Sequence, residues 1–307
     1  MNKKVIRIVG IIIMAVAVIF LVNRFLSFDV DFAELFTSQT LPGLLIVTVC
    51  VMVTLFIGSV GWDIWLSFFS GQRVPVLPTY SIYTRSNIAK YFPGNVGHYA
   101  MRQLYGTSLG IKQRELLFST VLEIFCMALT ALVLSIVLAR DVFFLFVVDV
   151  FQKSWVLPAI IILIAVVVAA AVFFMRKKNI SASEIFDYLK QKSFRLSLIS
   201  VIGLMACNMM IFGLSLLLLF RFIANVDGTY GLLIISAGIV SWLIGFITPG
   251  VPGGIGVREA VMVLMLTPMI DNDVVLFIAV IQRVAYIFSD VISWVIGKAL
   301  ERQVGTL

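Results

Sequence analysis

Apolar residues run along this chain in long blocks separated by short polar connectors. A block of about 20 residues with few charges has the length that crosses a hydrocarbon core. The pattern predicts spans at roughly 5–26, 42–66, 115–139, 155–175, 196–219, 230–247, 254–269 and 274–297. The expected fold class is therefore all-α: a polytopic membrane helical bundle of about eight membrane segments, built as one integral membrane domain over residues 1–307. The block from Val5 to Phe25 follows Lys3, Lys4 and Arg7. It is too long for a signal-peptide core and no small-residue cleavage site follows, so an uncleaved first span is expected.

The sixth and seventh blocks are short and enclose TPGVPGGIGVREA, Thr248 to Ala260. Proline donates no backbone hydrogen bond and glycine permits sharp turns, so this stretch breaks a helix. A second copy lies in the long segment between the second and third spans. Pro93-Gly94-Asn95-Val96-Gly97 is followed by Arg102, as Pro249-Gly250-Val251-Pro252-Gly253 is followed by Arg258. Both read P-G-x-x-G-x-x-x-x-R. The first copy would enter from one face of the membrane and the second from the other. Two broken hairpins pointing at each other form the pattern of an inverted repeat.

Irregular backbone at membrane depth is tolerated where protein buries it or where it lines a wet cavity. Each break would also start a fresh half-helix, whose first amide N–H groups and positive dipole end suit an anion. Gly94, Gly97, Gly250, Gly253, Gly254 and Gly256 are the expected backbone contributors. Arg102 and Arg258 add planar, permanently charged donors for a phosphate. Glu259, beside Arg258, is a counter-ion, a gate or a proton carrier. The competing reading makes both copies ordinary turns with arginines at the water interface.

Other charges fall inside the apolar blocks. Glu123 lies near the centre of the third span, and Arg283 and Asp290 lie in the last. A central charge costs about 2.5–3.5 kcal/mol even on a mild insertion scale, so each needs a partner or water. Arg283, Tyr286 and Asp290 share one helical face. Arg283 and Asp290 are too far apart to pair well, so each is expected to meet another element. Glu123 with Arg283 or Arg258 is a candidate pair. These residues would shape a polar path, or only fix helix packing. Asp63, between Trp62 and Trp65, reads as part of an interfacial belt. Asn208, Ser236 and Ser241 are expected to hydrogen-bond between helices.

Composition agrees with the pattern. Of 307 residues, 61% are hydrophobic and 13% charged, against about a quarter charged in a soluble domain. The mean hydropathy is +1.10. No polar stretch is long enough for a separate soluble domain. With the N-terminus inside, 17 of the 23 Lys and Arg face the cytoplasm and 4 face out. That split predicts a cytoplasmic-membrane protein with both termini cytoplasmic. The net charge of +7 then faces an anionic leaflet and calls for no nucleic acid. The cytoplasmic connector opens with a capping-box pattern, Ser181 to Glu184, read as either a short interfacial helix or a solvated linker.

Candidate chemistry is sparse. Cys50, Cys126 and Cys207 lie in apolar runs and read as small buried hydrophobes. His98 is the single histidine, so no histidine- or cysteine-based metal site is expected. A Walker loop and an HExxH are both missing from the sequence, and no cofactor or enzyme activity is expected. An ATP-driven pump would need another subunit.

Pro252-Gly253-Gly254-Ile255-Gly256-Val257-Arg258-Glu259 resembles the Pro-Gly-Gly-x-Gly-x-x-Glu signature of the lysylphosphatidylglycerol synthase transmembrane, or flippase-like, family. Tyr91-Phe92-Pro93-Gly94 is similar to that family's earlier tyrosine-x-Pro-Gly element. The resemblance implies a multi-pass cytoplasmic-membrane protein with re-entrant helices. It implies movement of an anionic lipid, either a phospholipid or a polyprenyl-phosphate-linked glycolipid. Two-domain relatives carry a soluble aminoacyl-transfer domain that this sequence lacks, so lysylphosphatidylglycerol synthesis is not expected of it. The alternative is a non-transporting partner of a membrane glycosyltransferase or lipid-modifying enzyme.

Overall fold

The computed structural model describes residues 40–92, 96–138, 187–226, 228–248 and 251–304. The predicted spans at 5–26 and 155–175 lie outside these residues, as do Ser181 and Glu184. All regular structure among the described residues is helical. Helix α1 covers Thr40–Ser70, α2 Val76–Asn87, α3 Gly97–Gly106 and α4 Gln113–Leu138. Helix α5 covers Lys192–Ala224, α6 Gly231–Ile247, α7 Val257–Leu266 and α8 Asn272–Val304.

Five of these stretches are long and apolar enough to cross a membrane: Thr40–Ser70, Gln113–Leu138, Lys192–Ala224, Gly228–Ile247 and Asn272–Glu301. They coincide with five predicted spans. Their outward faces are apolar, as hydrocarbon requires. On α1, Leu45, Val49, Val53 and Phe56 form an exposed stripe, and on α4 Val121, Phe125, Leu132 and Val133 do the same. The predicted span at 254–269 is corrected. Its helix, α7, has ten residues, about 15 Å, which is half a hydrocarbon core.

The largest core cluster joins α5 to α6, α7 and α8 through residues such as Leu216, Phe220, Ile239, Leu266 and Ile281. Helices α5 and α6 approach closely at Gly213, where a Cβ would lie 2.9 Å from the Ile235 carbonyl oxygen. A second cluster packs Trp62, Ile82 and Leu116, and a third packs Trp65, Phe194 and Met205. Trp62 and Trp65 are thus fully buried, which corrects the interfacial-belt expectation. Asp63 between them is buried and accepts a 2.8 Å hydrogen bond from the Thr79 hydroxyl.

Helix α2 is the unusual element: a polar sequence, VLPTYSIYTRSN, buried along most of its length. It turns back along α1. The Val74 amide donates to Ser67 Oγ, Thr79 to Asp63, and the Tyr83 hydroxyl lies against Gly58. By Tyr83 the chain has returned about 18 Å along α1. Its other side packs on α8, where Ser81 donates to the Gly297 carbonyl at 2.6 Å. Backbone pairing in the helix, together with side-chain bonds of this kind, lets so polar a segment be buried.

Smaller expectations divide. Asn208 donates from α5 to the Thr54 carbonyl of α1 at 2.7 Å, as expected. Ser236 and Ser241 instead donate to the Leu233 and Gly238 carbonyls in their own helix, an ordinary use of a hydroxyl inside a helix. Cys126 is buried, but Cys50 is half-buried and Cys207 exposed on an apolar face.

Candidate functional site

Helices α2 and α3 form a hairpin joined by the turn Ile88–Tyr91 and the first glycine motif. The two arms are close: a Cβ on Gly97 would meet the Ala89 carbonyl oxygen at 2.4 Å, and the Arg85 guanidinium lies 4.5 Å from the Tyr105 ring. Helices α6 and α7 form a second hairpin around the other motif. There a Cβ on Gly254 would lie 3.1 Å from the Cα of Gly245. Gly253, Gly254 and Gly256 all have positive φ, the left-handed backbone that side-chain-bearing residues seldom adopt. Gly94 and Gly250 lie outside the described residues.

The two hairpin tips meet. The Tyr91 ring lies 3.3 Å from where a Cβ on Gly253 would stand, and Ile88, Tyr91 and Ile255 form one buried cluster. Both tips are tied to the middle of α8. Arg283 donates to Gly253 O at 3.1 Å and to Glu259 Oε1 at 2.9 and 2.6 Å. Two turns further on, Asp290 accepts from Asn87 at 2.7 Å, from the Tyr91 hydroxyl at 2.6 Å and from Lys90 at 2.6 Å. Arg283 and Asp290 thus each find partners on another element, as their spacing required.

Arg102 sits apart from the tips. It is 2% exposed and ion-paired with Glu123, 1% exposed. Glu123 also accepts from the Tyr83 hydroxyl at 2.7 Å. The Arg102 guanidinium lies 3.9 Å from the Tyr83 ring centre and 5.1 Å from Trp62. The expected pairing of Glu123 with Arg283 or Arg258 is therefore corrected. Glu123 meets the arginine that α3 brings alongside α4. Glu259 likewise passes over its neighbour Arg258 to reach Arg283, because adjacent residues on a helix do not face each other.

The lysylphosphatidylglycerol synthase TM region family matches residues 7–293. The chain belongs to this family. The match spans both hairpins and every buried charge named above. No curated protein and no solved structure matches the chain.

Within this family member, the glycines do more than turn the chain. The Gly256 amide donates to Glu259 Oε2 at 2.6 Å, so the first turn of α7 is capped by its own carboxylate. The Gly254 amide donates to Val251 O. Gly253 and Gly254 present their carbonyls to Arg283. Two of the amides expected to face an anion are thus engaged inside the protein.

Arg258 is different. It lies half-buried at the start of α7, passing between Gly245 and Gly254, with its guanidinium 5.9 Å from the Trp242 ring. No salt bridge or hydrogen bond reaches it among the described residues, and its buried Nε has no partner. Its electrostatic neighbours are Arg283, Tyr286, Glu259 and Tyr91. Among the described residues the junction therefore holds three cations, Lys90, Arg258 and Arg283, against two carboxylates, Glu259 and Asp290.

Sequence reasoning missed Lys90, Asn87 and Tyr83, the partners of Asp290 and Glu123. For Asn87 and Tyr83 the signal was present in VLPTYSIYTRSN, a polar run bordering apolar spans and long enough for three helical turns.

Proposed function

We propose that this protein binds the phosphate of an anionic lipid at the junction of its two hairpin tips and carries that headgroup across the cytoplasmic membrane. One observation carries the reading: among the described residues Arg258 is charged, half-buried and without a carboxylate, in a cluster of net charge +1. An unpaired charge inside a membrane protein is costly, and a bound phosphate offsets that cost with charge-assisted hydrogen bonds. The family's connection with lipid handling points the same way. Arg102 is spoken for by Glu123, and the Gly254 and Gly256 amides are engaged within the second hairpin, so the phosphate role falls on Arg258. In this reading the tips are re-entrant. The α2–α3 hairpin enters from the cytoplasmic side and α6–α7 from the outside, with both termini cytoplasmic. The ion pairs of Arg283 and Asp290 hold the tips against α8, and their rearrangement would open the path to either leaflet.

The test is lipid movement in reconstituted liposomes containing the purified chain and labelled phosphatidylglycerol. Movement well above protein-free vesicles is expected, with a large loss in Arg258→Ala. No movement under any ion gradient would refute transport. Binding without movement would favour an accessory role beside a membrane glycosyltransferase or lipid-modifying enzyme. Normal movement by Arg258→Ala would remove the site.

A further inference from the structure

The charges at the junction also select what is attached to the phosphate. Each carboxylate there is already engaged. Glu259 takes Arg283 and the Gly256 amide; Asp290 takes Lys90, Tyr91 and Asn87; Glu123 takes Arg102 and Tyr83. Asp63 lies at the far end of α2, beside Thr79, about 18 Å of helix from Tyr91. Among the described residues a cationic headgroup would find no free acid beside Arg258 and would face an excess of positive charge.

Neutral polar groups, by contrast, stand unused. On α8, Gln282, Tyr286 and Ser289 lie one above another on a single face. They are 6%, 9% and 0% exposed. The Gln282 Nε2, the Tyr286 hydroxyl and the Ser289 hydroxyl have no hydrogen-bond partner among the described residues. A buried polar atom without a partner is left with its desolvation cost unrepaid, and three on one face is a concentration that asks for a ligand or ordered water. Tyr286 sits where the elements converge. Its ring touches Phe212 of α5, Lys90 of the first tip lies 6.0 Å from its centre, and Arg258 of α7 and Cys50 of α1 are among its electrostatic neighbours.

We propose that the lipid headgroup carries an uncharged polyol beyond its phosphate, with Arg258 taking the phosphate and the Gln282–Tyr286–Ser289 face of α8 taking the hydroxyls. Glycerol, inositol and sugar phosphodiesters fit this description; an aminoacylated, cationic headgroup does not. The inference rests on the reading of Arg258 as the phosphate site and adds to it the selection of the headgroup.

The experiment measures binding to the full chain in phosphatidylcholine nanodiscs by native mass spectrometry. The probes are phosphatidylglycerol, lysylphosphatidylglycerol and phosphatidylethanol, the last a phosphodiester of the same charge without hydroxyls. Phosphatidylglycerol is expected to bind at least about tenfold more tightly than the lysyl ester, since a buried unpaired ammonium costs more than the 1.4 kcal/mol that factor represents. It should also exceed phosphatidylethanol, and Tyr286→Phe should reduce that second advantage. Equal or tighter binding of the lysyl ester overturns the inference and leaves the phosphate site standing. If no anionic lipid binds above phosphatidylcholine, the phosphate site itself fails, and the inference with it.

Discussion

The buried pair Arg102–Glu123 offers the sharpest test of how the first hairpin is held. Replacing Glu123 by leucine leaves Arg102, 2% exposed, without its counter-charge. Breaking a buried ion pair from one side costs about 3–5 kcal/mol. The reverse change, Arg102→Met, strands Glu123 with only the Tyr83 hydroxyl and should cost a similar amount. The double variant removes both charges. It leaves the Tyr83 hydroxyl without an acceptor, which costs about 1–3 kcal/mol, while Met and Leu fill most of the space. The double variant should therefore be more stable than either single one. Reversible unfolding in mixed detergent micelles, followed for the four proteins of the cycle, measures this directly. If either single change costs under about 1 kcal/mol, the pair behaves like an exposed surface pair and the reasoning fails. A double variant as damaged as the sum of the singles would refute it equally.

Asp290→Ala removes the acceptor of Lys90, Tyr91 and Asn87 and should cost about 3–5 kcal/mol, whereas Glu301→Ala, which breaks a part-exposed pair with Arg85, should cost about 0–1 kcal/mol in the same unfolding assay. Gly97→Ala sets a Cβ 2.4 Å from the Ala89 carbonyl oxygen and should destabilise the first hairpin by about 1–3 kcal/mol, read as a lower thermal midpoint. Gly245→Ala, with a Cβ 2.5 Å from Arg258 Cγ, should push Arg258 aside and weaken phosphatidylglycerol binding in nanodiscs; unchanged binding would argue against Arg258 as the phosphate group. In protein whose three native cysteines have been replaced, Gln72→Cys should react with a membrane-impermeant maleimide only from the cytoplasmic side, and Thr229→Cys only from outside.

Much of the architecture was legible because the bilayer imposes a one-dimensional rule. A helix that crosses it must be long and apolar, and five predicted spans reappear as helices for that reason. The helix breaks were legible too, since proline and glycine act locally. So was the need for partners at Arg283 and Asp290, which follows from the cost of a charge at depth and requires no coordinates.

Pairing was a different matter. Sequence alone offered Glu123 to Arg283 or Arg258 and placed Arg258 beside Glu259, while the folded chain joins Glu123 to Arg102 and Glu259 to Arg283. The difference lies in helix geometry and hairpin packing: neighbours on a helix diverge, and residues tens of positions apart converge when a hairpin folds back. The polar helix α2 shows the same limit, since only packing against α1 and α8 buries a segment whose composition resembles a loop. The sequence by itself thus determined a membrane bundle interrupted by two matched Pro-Gly breaks, because length, hydropathy and backbone chemistry are local properties. Only the tertiary structure decided that the hairpin tips meet at the middle of α8 and that Arg258 is left without a carboxylate among the described residues, because electrostatic compensation depends on which side chains the fold brings within a few ångströms.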